Sequence, residues 1–74
     1  MSDSERIEVH LRRGHYGAMS VEWRGGATCT FTDSGYTYDG VAEEVATITG
    51  PGEYRAREWC NDDFRWGPWL PVEP

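Results

Sequence analysis

Positive charge is scarce in this chain. Lysine and glutamine are absent altogether, and seven arginines stand against thirteen acidic residues, a formal net charge of −6. Generic nucleic-acid binding needs a basic face that displaces phosphate counterions, and adhesion to anionic lipid needs clustered basic residues. Neither nucleic acid nor membrane is expected as a partner. No apolar run approaches the roughly 18 residues of a membrane-spanning helix. Met1, Ser2, Asp3, Ser4 and Glu5 offer none of the apolar stretch of a secretory signal. The expected location is cytoplasmic or virion-associated.

Signatures of catalysis and metal binding are missing too. There is no Gly-x-Ser-x-Gly elbow, no phosphate-cradling glycine loop and no Cys-x-x-Cys or His-x-x-x-His spacing among His10, His15, Cys29 and Cys60. His10 reads as the polar face of a strand and His15 as part of a solvated loop. The acidic pairs Glu43-Glu44 and Asp62-Asp63 read as solvated charge rather than as a hydrolytic dyad or a calcium loop. No enzyme, no metal and no cofactor are expected. Cysteine is limited to Cys29 and Cys60, both on apolar-looking strand faces. A bridge between them would stabilise so small a domain by roughly 3–4 kcal/mol. A reducing compartment disfavours it, so two separate thiols packed as small hydrophobes are expected, with a bridge left open.

What the chain does have is rings. Aromatics make up 14% of 74 residues and include four tryptophans, which argues against disorder even at a mean hydropathy of −0.70. Each large ring buries on the order of 150–250 Å², so a core built around Trp23, Phe31 and Tyr54 is expected, with Trp66 also inward. Trp59 and Trp69 are left open between core and surface.

Period two dominates the apolar pattern. Ile7, Val9 and Leu11 alternate with Arg6, Glu8, His10 and Arg12, the mark of a half-buried strand. A loop follows at 14–17. Met19, Val21 and Trp23 form a second strand, and Ala27, Cys29 and Phe31 a third whose other face is threonine. Gly25-Gly26 between them is a two-residue hairpin signal, and strands two and three are expected to pair. Asp33-Ser34-Gly35 reads as a turn before a short segment at 36–38, and Asp39-Gly40 as another. Residues 41–46 fit either a helical turn, with Val41 and Val45 stacked, or a strand. Gly50-Pro51-Gly52 is a sharp corner. Glu53 to Cys60 makes a further strand, and 61–63 a turn. The last strand, 64–72, carries Pro68 and Pro71 and belongs at an edge. The expectation is an all-β domain over 5–72, an antiparallel sandwich or small barrel of about six to seven short strands, with a tail at 1–4 and a frayed end at 73–74.

Three segments carry a family resemblance. Ala46-Thr47-Ile48-Thr49-Gly50-Pro51-Gly52-Glu53-Tyr54-Arg55-Ala56-Arg57 resembles the E–F corner of fibronectin type III and immunoglobulin-like domains. Arg65-Trp66-Gly67-Pro68-Trp69 is similar to the start of their last strand, and Met19 to Trp23 to their B strand. The resemblance rests on these three segments of a chain that is shorter than the ~100 residues of an immunoglobulin-like sandwich. It implies a reduced sandwich in which Tyr54 anchors the corner through its hydroxyl. Tyr54, Trp23, Cys29 and Cys60 then have structural roles.

Trp59, Phe64, Trp66 and Trp69 crowd the carboxyl end beside Arg57 and Arg65, with Arg55 nearby. Trp, Tyr and Arg dominate binding hot spots, so these six residues are the candidate protein-binding surface. The expected function is a non-enzymatic interaction or assembly module, bound to a protein partner or a larger assembly. Abundant Arg, Gly, Ala and Pro fit a GC-rich host, and a phage virion accessory or decoration protein is the specific expectation. Two alternatives stand beside it. One is a small acidic inhibitor mimicking nucleic acid through Asp33, Asp39, Glu43, Glu44, Asp62 and Asp63. The other is a carbohydrate-binding module using exposed Trp.

Overall fold

A computed structural model describes residues 6–12, 18–38, 40–60 and 62–72, the side chains of Tyr38 and Cys60 excepted. The expected tail, the loop around His15, Asp39 and the frayed end lie outside these residues. Among the described residues seven strands follow in chain order: β1 (Arg6–Leu11), β2 (Ala18–Arg24), β3 (Thr28–Tyr38), β4 (Val41–Thr49), β5 (Glu53–Cys60), β6 (Asp63–Trp66) and β7 (Leu70–Pro71). The all-β expectation holds, and the open segment at 41–46 is strand. Val41, Val45 and two alanines in that segment are held in extended pairing with β1 and β3, which outweighs any local helical spacing.

The strand order is β3-β4-β1-β2-β5-β6, with β7 also on β5. One link in this path is slight. β1 and β2 run parallel and meet only at Leu11 and Ala18, where the Arg12 N–H donates to the Ala18 carbonyl at 2.9 Å. The sheet folds over at that link, so that β3-β4-β1 faces β2-β5-β6/β7 across the core. Directly opposed residues share a face. Ile7, Ile48 and Cys29 form one inward row, and Val9, Ala46 and Phe31 the next. From the other half come Val21 with Ala56, and Trp23 with Tyr54 and Leu70.

The second and third strands do not pair, contrary to expectation. β2 pairs β5 and β3 pairs β4, so Gly25-Gly26 carries the chain from one half-sheet to the other. Both glycines have positive φ, 75° and 93°. The local signal for a tight reversal was therefore sound, but pairing was decided by long registers that bury apolar rows. A second close approach locks this crossover. Gly52 (φ 132°), after the cis Gly50–Pro51 bond, lies so close that a Cβ would collide with the Arg24 carbonyl oxygen and stand 3.1 Å from the Ala27 Cβ.

The turn expected at 33–35 is an irregularity inside a single β3. Asp33 Oδ1 accepts from the Gly35 N–H at 2.8 Å and Ser34 Oγ from the Tyr36 N–H at 3.1 Å, which curls the strand without ending it. The Pro-interrupted final strand is at an edge, as its missing donors require. β6 and β7 follow one another along β5, and the gap is bridged by Gly67 N–H to the Ala56 carbonyl at 2.8 Å.

The core corrects the composition argument. Its buried apolar members among the described residues are Leu11, Ala18, Val21, Ala46, Ile48 and Val72, all aliphatic. Tyr54 packs against them half-buried, but Trp23 is 38% exposed and Phe31 46%, and the two meet at the rim with ring centroids 6.2 Å apart. Two facing half-sheets of three strands leave room for small aliphatic rows, and the large rings are displaced to the rim and the outer face.

Candidate functional site

Strand parity builds the candidate surface. Tyr54 and Ala56 point inward, so Arg55, Arg57 and Trp59 point outward from β5. Registers Trp59–Phe64 and Arg57–Trp66 place β6's rings on the same side, and Glu22–Arg55 and Arg24–Glu53 add β2's charges. The outcome is a ladder of guanidiniums and rings. Arg24 lies over Trp69 at 3.9 Å, and Arg55 over Trp69 at 4.7 Å and over Trp66 at 4.6 Å. Arg57 lies over Phe64 at 5.5 Å, and Trp59 meets Phe64 edge-on at 4.8 Å. Carboxylates tie down the other side of two guanidiniums. Glu53 binds Arg24 at 2.7 Å and Glu22 binds Arg55 at 2.6 Å. Each cation–ring contact at such a partly exposed site contributes about 0.5–1 kcal/mol.

Five of the six residues singled out from sequence, Trp59, Phe64, Trp66, Trp69 and Arg57, come together here. Arg65 does not: it opposes Glu58, on the other side of the sheet. Trp66, expected inward, is on the outer face and 36% exposed. Arg24 and Arg55 complete the ladder and were not among the six. Alternation of Arg55 and Arg57 against Tyr54 and Ala56 is the signal for Arg55. Arg24 has none, since its partners Glu53 and Trp69 lie far along the chain.

The opposite outer face holds a different arrangement. Glu43 is 2% exposed although it sits on the outward side of β4, which corrects its reading as solvated charge. Arg12 Nε donates to its Oε2 at 2.8 Å, His10 Nδ1 lies 3.3 Å from Oε1, and the Ser34 hydroxyl adds a third hydrogen bond. The curl at 33–37 is what carries Ser34 over the carboxylate. These bonds, Arg12's first and then Ser34's, hold the Glu43 carboxyl at about 2, well below the ordinary range and against the opposing effect of burial. A carboxylate so firmly ionised and so fully partnered is a poor proton acceptor near neutrality. It is a structural clasp over β1, β3 and β4.

Cys29 carries a free thiol on the inward face of β3, its pKa raised by burial, and the Cys60 side chain lies outside the described residues. Among the described residues no three His, Cys, Asp or Glu side chains converge as metal ligands, and no helix is long and apolar enough to cross a membrane. A groove of about 390 Å³ runs along β1, floored by Ile7, Val9, Ala18, Tyr54, Ala56 and Leu70. No protein-family model matches the chain, and no curated protein or solved structure is significantly similar to it.

Proposed function

We propose that this protein is a non-enzymatic interaction module whose docking surface is the ladder on the outer face of β2, β5, β6 and β7. The observation that carries this proposal is the concentration of Trp59, Phe64, Trp66 and Trp69 with Arg24, Arg55 and Arg57 on one sheet face, against an aliphatic core that makes no use of them. Rings stiffened by guanidiniums present large amphipathic area with little conformational freedom left to lose on binding, which is what hot spots require. A protein partner fits this surface better than a sugar. Trp69 already has two guanidiniums over it and Trp66 one, so a sugar ring would have to compete with arginine for stacking area on these two rings. Nucleic-acid mimicry is weakened in turn, because Glu43 is removed from any exposed carboxylate array by Arg12 and His10.

The fold is, in this proposal, an immunoglobulin-like sandwich lacking its first strand. The order β3-β4-β1 over β2-β5-β6 corresponds to strands D-E-B over C-F-G. Met19 to Trp23 then takes the C position, pairing the strand that carries Tyr54, rather than the B position. Small size, net acidity and arginine without lysine support the narrower role of a phage virion accessory protein.

The test is a quantitative pull-down from the encoding cell or from purified virions. A specific protein partner retained by the wild type and by Thr47→Ala, but lost with Trp66→Ala, is expected. A partner retained equally by Trp66→Ala and Trp69→Ala overturns the proposed surface. Quenching of tryptophan fluorescence by a polysaccharide in place of any protein partner overturns the proposed class.

A further inference from the structure

An open sheet edge presents unpaired N–H and C=O groups and recruits another strand unless charge, proline or a bulge deters it. Most open edges here carry such deterrents: Arg6 and Glu8 on β1, Glu22 and Arg24 on β2, Pro68 and Pro71 around β7. β3 differs. From Thr28 to Thr32 it has no charge, no proline and no break in register, the irregularity beginning only after Asp33. One edge of this stretch pairs β4, and the other pairs no strand among the described residues. Beside that free edge stand the half-exposed rings of Phe31 and Trp23, apolar area the fold leaves in water.

We propose that β3 is a dimerisation edge, through which two copies of this chain pair antiparallel over residues 28–32 about a twofold axis at Thr30. A twofold interface must be self-complementary, and this stretch is. With Thr30 opposite its own copy, Thr28 faces Thr32 of the partner subunit and Cys29 faces Phe31 of the partner subunit. The outer side becomes an unbroken line of threonines continuing the pairs Thr28–Thr49 and Thr30–Thr47, and threonine suits such cross-strand contacts. The inner side covers Phe31 at the rim it shares with Trp23. The first charge, Asp33, comes opposite Ala27 of the partner subunit, so no like charges meet. The equivalent twofold on β1 would set Glu8 against itself.

Light scattering coupled to size exclusion, on the whole chain at about 100 µM, is expected to return twice the 8.4 kDa mass. Thr30→Lys places two ammonium groups face to face on the solvent side and is expected to give a monomer with unchanged far-ultraviolet circular dichroism. Thr30→Cys brings its two copies to a Cα separation of about 4.5–5.5 Å, within disulfide reach. It is expected to cross-link under mild oxidation several-fold more than the wild type, whereas Thr47→Cys on the central strand is not. A wild-type monomer, a dimer that survives Thr30→Lys, or equal cross-linking of the two cysteine variants overturns the proposal.

Discussion

On the outer face of β3, β4 and β1 one carboxylate is buried and its neighbours converge on it. On the outer face of β2, β5, β6 and β7 charges and rings alternate and every side chain of the ladder keeps some contact with water. Both faces meet the same difficulty, since a chain of this size has no third layer to cover a sheet. The first face uses a few strong, directional bonds around Glu43. The second uses many weak, broad contacts that are individually replaceable. The difference teaches where function can reside. A buried carboxylate already bound by Arg12, Ser34 and His10 is out of a partner's reach, while a ladder of partly exposed rings is not.

The largest expected effect removes the joint on which both faces depend. Gly52→Ala forces a Cβ into the Arg24 carbonyl at a φ of 132° and is expected to destabilise the fold by about 3 kcal/mol. Urea unfolding followed by Trp fluorescence and by circular dichroism should show both faces lost in one transition. If the ladder rings changed environment in a separate, earlier step, the two faces would be independent units, and the comparison would have to be redrawn.

Next comes the clasp. Arg12→Met removes the strongest partner of a 2%-exposed carboxylate, and stranding a charge costs more than any weak contact returns. Its urea midpoint should fall further than that of any single ladder truncation, and the reverse ranking would break the comparison. Acid should act on the same face. Glu43 binds its proton only near pH 2 when folded, against about 4.3 in an unfolded chain. Its contribution is complete above the unfolded value and is lost as pH falls through that value toward 2. Stability measured between pH 5 and 2 should therefore decline more steeply in the wild type than in Glu43→Gln.

How much of this was legible in the sequence follows the range of the interactions. Alternation gave β1, β2 and the start of β3, and Gly50-Pro51-Gly52 gave the corner, because each is set by neighbours in the chain. Gly25-Gly26 marked a reversal correctly but not what it joined, since two glycines specify a backbone shape and not a pairing. The ring cluster was found and its side was not. Composition cannot tell inward from outward, and only the register Arg57–Trp66 assigns Trp66 to the arginine face. Glu43 was the least legible. Its burial rests on Arg12, 31 residues away, and on a curl at Ser34 that reads locally as a turn.

The ladder should yield in smaller steps. Trp69→Ala removes the ring beneath two guanidiniums and is expected to lower stability by about 1–2 kcal/mol, measured by urea unfolding. The loss should largely persist at high salt, because most of it is the lost packing of a large ring rather than attraction between separated charges, which salt screens.

The smallest effect separates rings from ions within that face. Arg24 touches both Trp69 at 3.9 Å and Glu53 at 2.7 Å, so truncating it alone cannot say which contact matters. Double-mutant cycles can. Arg24→Ala with Trp69→Ala should give a coupling of about 0.5–1 kcal/mol. Arg24→Ala with Glu53→Gln should give about 0.2–1 kcal/mol at low salt and less as salt rises, since exposed ion pairs are screened. A ring coupling that vanished with salt while the ionic one persisted would make the second face a charge network like the first. The carboxylates would then be its framework, and the rings would be free to turn toward whatever binds them.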